Sequence, residues 1–324
     1  MDVVIVGSIG YDDIQTPAGS GSDLLGGAAV YSGLASSFHL RTHDEQPTKV
    51  GLVGVVGDDF SVYDQMILEK AGLNLAGVVR AEGDTFRWSG KYEGAMESVE
   101  TLATEVNVLG DFNPTLPEVW TNPEVLFCAS THPATQVSVL DQCPGAQLTV
   151  LDTFMLWIDT EFETLSEAMR KVDIVVINEQ EVCAIAGDEI LPRAMKSIIS
   201  GEALHGGSAA GPGPRCLIAK RGSGGVLAML PAGILSLPAY PTDDIVDPTG
   251  CGDSFAGSLI AYLVGRQGVL TDIEAIRNAL VHATVTSSFT LAGIGISGIS
   301  SIDRGTYHAR VAVSYTHLTL PTIA

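Results

Sequence analysis

Six short apolar runs rich in β-branched residues recur along the chain: Val3–Val6, Val50–Val56, Val125–Cys128, Leu148–Leu151, residues 172–177 and Cys216–Lys220. Runs this apolar suit strands buried on both faces, as in a parallel sheet covered by helices. Stretches of helical spacing lie between several of them. The fold expected is α/β: a doubly wound, mostly parallel sheet flanked by helices, with a small β-sheet excursion. The chain has 324 residues, 46% of them hydrophobic, enough for one large domain plus a small extra piece.

The densest chemical signal comes late, in Asp247-Pro248-Thr249-Gly250-Cys251-Gly252-Asp253-Ser254-Phe255-Ala256-Gly257. Phe255, Leu259, Ile260 and Leu263 follow at helical spacing, which starts a helix near Gly252. Gly250 and Gly252 leave the backbone bare, so its N–H groups and the positive helix end suit an anion. Asp253 in that first turn is an ordinary helix stabiliser on its own. Beside a phosphate it is repulsive, unless its task is to take a proton from an attacking hydroxyl.

This run resembles the C-terminal signature of the ribokinase-like (PfkB-type) carbohydrate and nucleoside kinases. The resemblance implies that Gly250, Cys251 and Gly252 form an anion hole and that Asp253 is the catalytic base. Cys251 stands where the family usually has Ala. Other motifs of the family appear in order. Asp12 follows the first strand, where the family binds substrate hydroxyls, with Asp13 beside it. Gly26-Gly27 matches the Gly-Gly substrate motif, but Ala28 and Tyr31 replace the Lys and Asn of ribokinases proper, which argues against ribose. Asn178-Glu179-Gln180-Glu181 matches Asn-x-x-Glu, which implies water-mediated Mg²⁺ binding by Asn178 and Glu181; a capping box has the same spacing. Lys220-Arg221-Gly222-Ser223-Gly224-Gly225 resembles the glycine turn that touches ATP phosphates, so Lys220, Gly222, Ser223 and Gly225 join Asn178 as nucleotide contacts. Thr249 and His282 fall at further ATP positions, and Asp247 at a monovalent cation (K⁺) position. Arg87, Trp88 and Lys91 are candidates for acceptor contact or for a dimer contact between lids, His132 is a candidate acceptor contact, and Asp152 a further one at a strand end. Asp58 and Asp59 fit as helix caps.

The resemblance spans nearly the whole chain. It implies one kinase domain over residues 1–312, with lid strands near 11–24 and 81–109. The activity implied is ATP- and Mg²⁺-dependent phosphorylation of a hydroxyl on a sugar or related small molecule. A nucleoside kinase shares the same catalytic residues, and a non-catalytic sugar-binding relative is the reading from another class. The assembly expected is a monomer or a homodimer. Residues 313–324 resemble a translated sequencing adapter, so the native sequence is expected to run to about 312.

Several classes are disfavoured. A formal net charge of -21 makes nucleic acid or an anionic membrane a poor partner. Five scattered cysteines without CxxC spacing point to free thiols. A glycine-rich turn follows the first strand, but its spacing is not GxGxxG, and GxxxxGK[ST] is absent. Met1-Asp2 leads straight into an apolar strand, so a cytoplasmic location is expected.

Overall fold

The computed structural model describes residues 1–41, 49–266 and 268–319. The polar stretch after Arg41 that the sequence marks as a loop lies outside them, as do residues 320–324. The strands are β1 (Val3–Val6), β2 (Gly10–Thr16), β3 (Gly19–Gly26), β4 (Val50–Val56), β5 (Leu73–Arg80), β6 (Phe86–Tyr92) and β7 (Val99–Glu105), then β8 (Val125–Cys128), β9 (Leu148–Leu151), β10 (Ile174–Asn178), β11 (Cys216–Lys220), β12 (Val226–Leu230) and β13 (Gly233–Leu237).

Nine of them form the main sheet, in the order β13-β12-β11-β10-β9-β8-β1-β4-β5. Pairing is parallel from β5 through to β11, and only β12 and β13 are antiparallel. Alternate residues of each central strand serve two cores. Val3 and Ile5 pack under the helices Ala28–Leu40, Cys251–Leu263 and Ile273–Thr290, whereas Val4 and Val6 pack under Pro133–Gln142, Phe162–Lys171 and Leu191–Ile199. This two-sided burial is why the strands read as continuous apolar runs. The chain leaves β1 for β4 and β5 on one side, then returns to β8 on the other, so a topological switch lies between β1 and β8. Ligands of open α/β sheets bind at such a point, outside the carboxyl ends of the strands.

A separate four-stranded sheet has the order β3-β2-β6-β7. It rises from the carboxyl end of β1 and lies over the switch point. Asp58 and Asp59 do not cap the helix Val62–Lys70: Ser61 does, accepting from the Asp64 N–H. Asp59 instead accepts from the Thr85 N–H and hydroxyl at the entry to β6. Residues 313–319 continue the last helix, Arg304–Thr319, and the Tyr315 hydroxyl donates to Asn278 Oδ1. Among the described residues no helix is long and apolar enough to cross a membrane.

The helices Ala28–Leu40 and Cys251–Leu263 touch almost backbone to backbone. A Cβ on Gly257 would lie 2.2 Å from the Ser32 carbonyl oxygen. Ser32 Oγ donates to the Asp253 carbonyl at 3.0 Å, and Ser36 Oγ to the Gly257 carbonyl at 2.8 Å. Gly257→Ala forces these backbones apart. We expect a loss of about 1–3 kcal/mol, read as a lower urea midpoint with an unchanged m-value.

Candidate active site

Asp12 lies on β2 and is buried, at 4% exposure. The two glycines after β3 make room for it. A Cβ on Gly26 would lie 2.0 Å from Asp12 Oδ2, and one on Gly27, at φ 96°, would lie 2.5 Å from the Ser8 carbonyl oxygen. The nearby Gly27 backbone N–H favours the ionised Asp12 carboxylate, against the larger effect of burial. Gly-Gly is therefore a steric requirement of a buried carboxylate beside a helix start.

The signature loop enters its helix through Gly250, at φ 72°. A Cβ there would lie 2.3 Å from the Tyr31 ring. Asp247 clamps the loop: Oδ1 accepts from the Thr249 N–H and Oδ2 from the Gly295 N–H. The Cys251 N–H closes the turn onto the Pro248 carbonyl. The N–H groups of Gly250 and Gly252 have no backbone acceptor among the described residues. They are open donors at the start of the helix. Lys220, at the end of β11, brings its Nζ to 3.0 Å from where a Gly252 Cβ would be. The open donors and an ammonium thus converge on one spot.

Lys220 Nζ also donates to Asp152 Oδ2 at 2.7 Å, at the end of β9. Burial works against its charge, but Asp152, Glu181 and Asp253 together raise its pKa above the usual lysine value. Those carboxyls are in turn pushed up. Burial, then Asp152, lifts Asp253 to about 6 despite the opposing Lys220. Burial, then Asp152, lifts Glu181 to about 8, and burial, then Asp253 and Asp247, lifts Asp12 to about 8. Carboxyls with different affinities for a proton, set by environment, are a mark of acid–base sites.

Asn178 and Glu181 form a true capping box: Asn178 Oδ1 accepts from the Glu181 N–H, and Glu181 Oε2 from the Asn178 N–H. Glu181 Oε1 has no hydrogen-bond partner among the described residues. No group of three or more acidic, His or Cys side chains stands ready to hold a metal among them. A single available carboxylate oxygen suits Mg²⁺, which keeps most of its waters and is held mainly by substrate phosphates.

Other residues singled out in the sequence have different surroundings. Arg87 pairs with Asp23 and with Asp59 Oδ2, and its guanidinium lies over the Tyr11 ring. It pins the small sheet to the loop after β4. His132 caps the helix Pro133–Gln142 through Nδ1 and packs on Trp157. His282 stacks on Tyr262 and hydrogen-bonds the Tyr307 hydroxyl. Gly222 and Gly225 both take positive φ in a closed turn, where the Arg221 N–H bonds the Gly225 carbonyl. Ser223 Oγ donates to Glu97 Oε1 at 2.7 Å, and Thr249 Oγ1 donates to the Tyr92 hydroxyl at 3.2 Å. The loop between β6 and β7 thus touches the glycine turn, and the end of β6 the signature loop.

Two buried polar atoms near the site lack a partner among the described residues, Tyr31 Oη and Trp88 Nε1; the sequence marked Trp88 as a candidate acceptor contact but passed over Tyr31. The signal was there for Tyr31: one large phenol in a helix otherwise small-residued at its start.

A buried carboxylate beside open N–H donors and an ammonium fits a phosphotransferase with an alcohol group as acceptor. The profile of the pfkB family carbohydrate kinases matches residues 127–291, and the chain belongs to this family. It is 29% identical over 273 residues to the cytidine kinase of Thermococcus kodakarensis, covering 82% of this chain and 90% of that one. Among solved structures it resembles the ribokinase of Giardia lamblia, with TM-score 0.77, 19% identity and coverage of 95% and 99% of the two chains. It also resembles the nucleoside kinase of Burkholderia thailandensis in complex with inosine, with TM-score 0.72, 17% identity and coverage of 97% and 98%. The chain is thus a ribokinase-type sugar or nucleoside kinase.

Asp12 carries a stability cost with a definite sign. Its folded pKa of about 8 lies above its ordinary value of 3.8. The folded state therefore binds the proton more tightly, and stability falls as pH rises from 4 towards 8. Asp12→Asn removes this dependence. We expect its melting temperature to exceed that of the wild type at pH 8 and the gap to close near pH 4, by calorimetry across that range.

Proposed function

We propose that the chain transfers the γ-phosphoryl group of ATP to a hydroxyl on a sugar or a nucleoside's sugar ring. The observation that carries this is the placement of Asp253, in the first turn of the signature helix, beside the open N–H of Gly252 and the ammonium of Lys220. Asp12 holds the acceptor by its hydroxyls. Asp253, ionised above about pH 6, takes the proton of the attacking hydroxyl. The Gly250 and Gly252 N–H groups and Lys220 stabilise the charge that develops on the transferred oxygens. The glycine turn from Gly222 to Gly225, with Ser223 and Thr249, holds the donor phosphates, and His282 is the candidate on the adenine side. Asn178 and Glu181 would hold the water shell of a Mg²⁺ ion, which when bound neutralises phosphate charge. Asp247, whose oxygens keep spare lone pairs, would serve a K⁺ ion. The small sheet acts as a lid, since it carries Asp12 and reaches Thr249 through Tyr92. Its outer-face Arg87 holds the lid to the domain and is a weaker candidate for the acceptor.

The nucleoside reading has its own support. A relative 29% identical over 273 residues is a cytidine kinase, and Tyr31 replaces the Asn that ribokinases place near the sugar.

The test is ADP release with ATP and Mg²⁺ over a panel of ribose, other sugars, cytidine and inosine. Asp253→Asn is expected to lower kcat by about 10²–10⁴-fold with the working acceptor. Activity that survives this change would remove Asp253 as the base.

A further inference from the structure

Buried polar side-chain atoms in folded proteins are nearly always hydrogen-bonded. Among the described residues seven are not: Tyr31 Oη, Trp88 Nε1, Glu124 Oε2, Thr131 Oγ1, Gln136 Oε1, Thr153 Oγ1 and Arg277 Nε. Their distribution is uneven. Thr131 and Thr153 follow β8 and β9, and Gln136 bonds the carbonyls of Ala129 and Asp152 at those strand ends. With Tyr31 and Trp88, five of the seven lie at the carboxyl edge of the sheet, around the site. A site that waits for a ligand is the physical reason to leave such groups unpaired, since a buried polar atom without a partner destabilises the fold.

Tyr31 and Trp88 are the pair that can donate into the acceptor space. Tyr31 is 1% exposed, on the helix that starts at the Gly-Gly motif. One edge of its ring lies on Gly250. Asp12, Asp247 and Asp253 are the charges nearest its hydroxyl, and none accepts a hydrogen bond from it. Trp88 is on β6, directly paired with Asp12 of β2. Paired residues of adjacent strands share a face, and i+2 and i+4 follow on that face. Trp88, Gly90 and Tyr92 therefore line the same side of the small sheet as Asp12. Tyr92 confirms which side this is, since its hydroxyl meets Thr249 of the signature loop. Gly90 leaves room along this face: a Cβ there would lie 2.1 Å from the Trp88 ring. The indole thus lies flat along the sheet with its N–H buried.

We propose that Tyr31 and Trp88 determine acceptor specificity, as two fixed hydrogen-bond donors that require acceptor atoms on the substrate. Asp12 complements them by accepting a hydrogen bond from a substrate hydroxyl. The ligand face that fits offers one hydroxyl to Asp12 together with a ring oxygen, ring nitrogen or carbonyl for the two donors. The inference rests on the kinase reading above and adds the chemistry of the acceptor pocket.

The test uses Tyr31→Phe and Trp88→Phe in the full chain. Both keep an aromatic ring, and the first keeps the contact with Gly250. KM for the acceptor and for ATP are measured separately, with cytidine, inosine and ribose. Loss of one donor is expected to raise acceptor KM by about tenfold, while KM for ATP moves less than twofold. A merely structural role would disturb both substrates together. If the wild type turns over one of these acceptors and neither variant shifts its KM, the inference is wrong and the kinase reading stands. If the wild type phosphorylates none of them, both fall.

Discussion

The site depends on one close approach: the helix Cys251–Leu263 lying directly against the helix Ala28–Leu40. The N-terminal third of the chain supplies Asp12 and Tyr31, and the C-terminal third supplies Asp253 and the open N–H groups of Gly250 and Gly252. Nothing local relates them. They meet because Gly257 lets one helix rest on the Ser32 backbone, and because Gly250 lets the signature loop turn under the Tyr31 ring. Two serine hydroxyls, on Ser32 and Ser36, then fix the register between the helices. A side chain larger than hydrogen at either glycine pushes Asp253 away from Asp12 and Tyr31.

Charge is the second constraint. The chain is strongly acidic overall, yet it must hold a polyanionic nucleotide. Long-range attraction is not available, and at physiological salt surface charges are screened within about 8 Å. The site solves this locally. Lys220 is held among Asp152, Glu181 and Asp253, and the open helix end adds backbone dipoles. The carboxyls pay in raised pKa values, which leaves Asp253 with a proton affinity close to neutral pH, where a general base works best.

Much of this was legible in the sequence. The buried strands announced themselves because helices cover both faces, and the signature loop did so because its glycines and Asp253 have chemical reasons to be adjacent. Asp12, Gly26 and Gly27 could be picked out, but the reason they belong together, a carboxylate lodged where a Cβ would otherwise be, is purely spatial. Ser61 rather than Asp58 or Asp59 caps the next helix because both aspartates are drawn into contacts with residues more than twenty positions away, which local pattern cannot show. Arg87 looked like a ligand contact for the same reason: a strand sequence does not say which face a charge occupies or which acids wait for it. Tyr31 was hidden because its distinguishing property is the absence of a partner, and Trp88, visible as a candidate contact, gave no sign of the same property.

The central claim is that Asp253 is a base whose proton affinity is set by its buried neighbours, with Lys220 keeping it ionised. The pH dependence of kcat/KM, measured in the wild type and in Lys220→Gln, tests it most directly. The account predicts an acidic limb near pH 6 in the wild type, and its movement to higher pH once the positive charge is removed. A limb that is missing, or that stays in place in the variant, would contradict it.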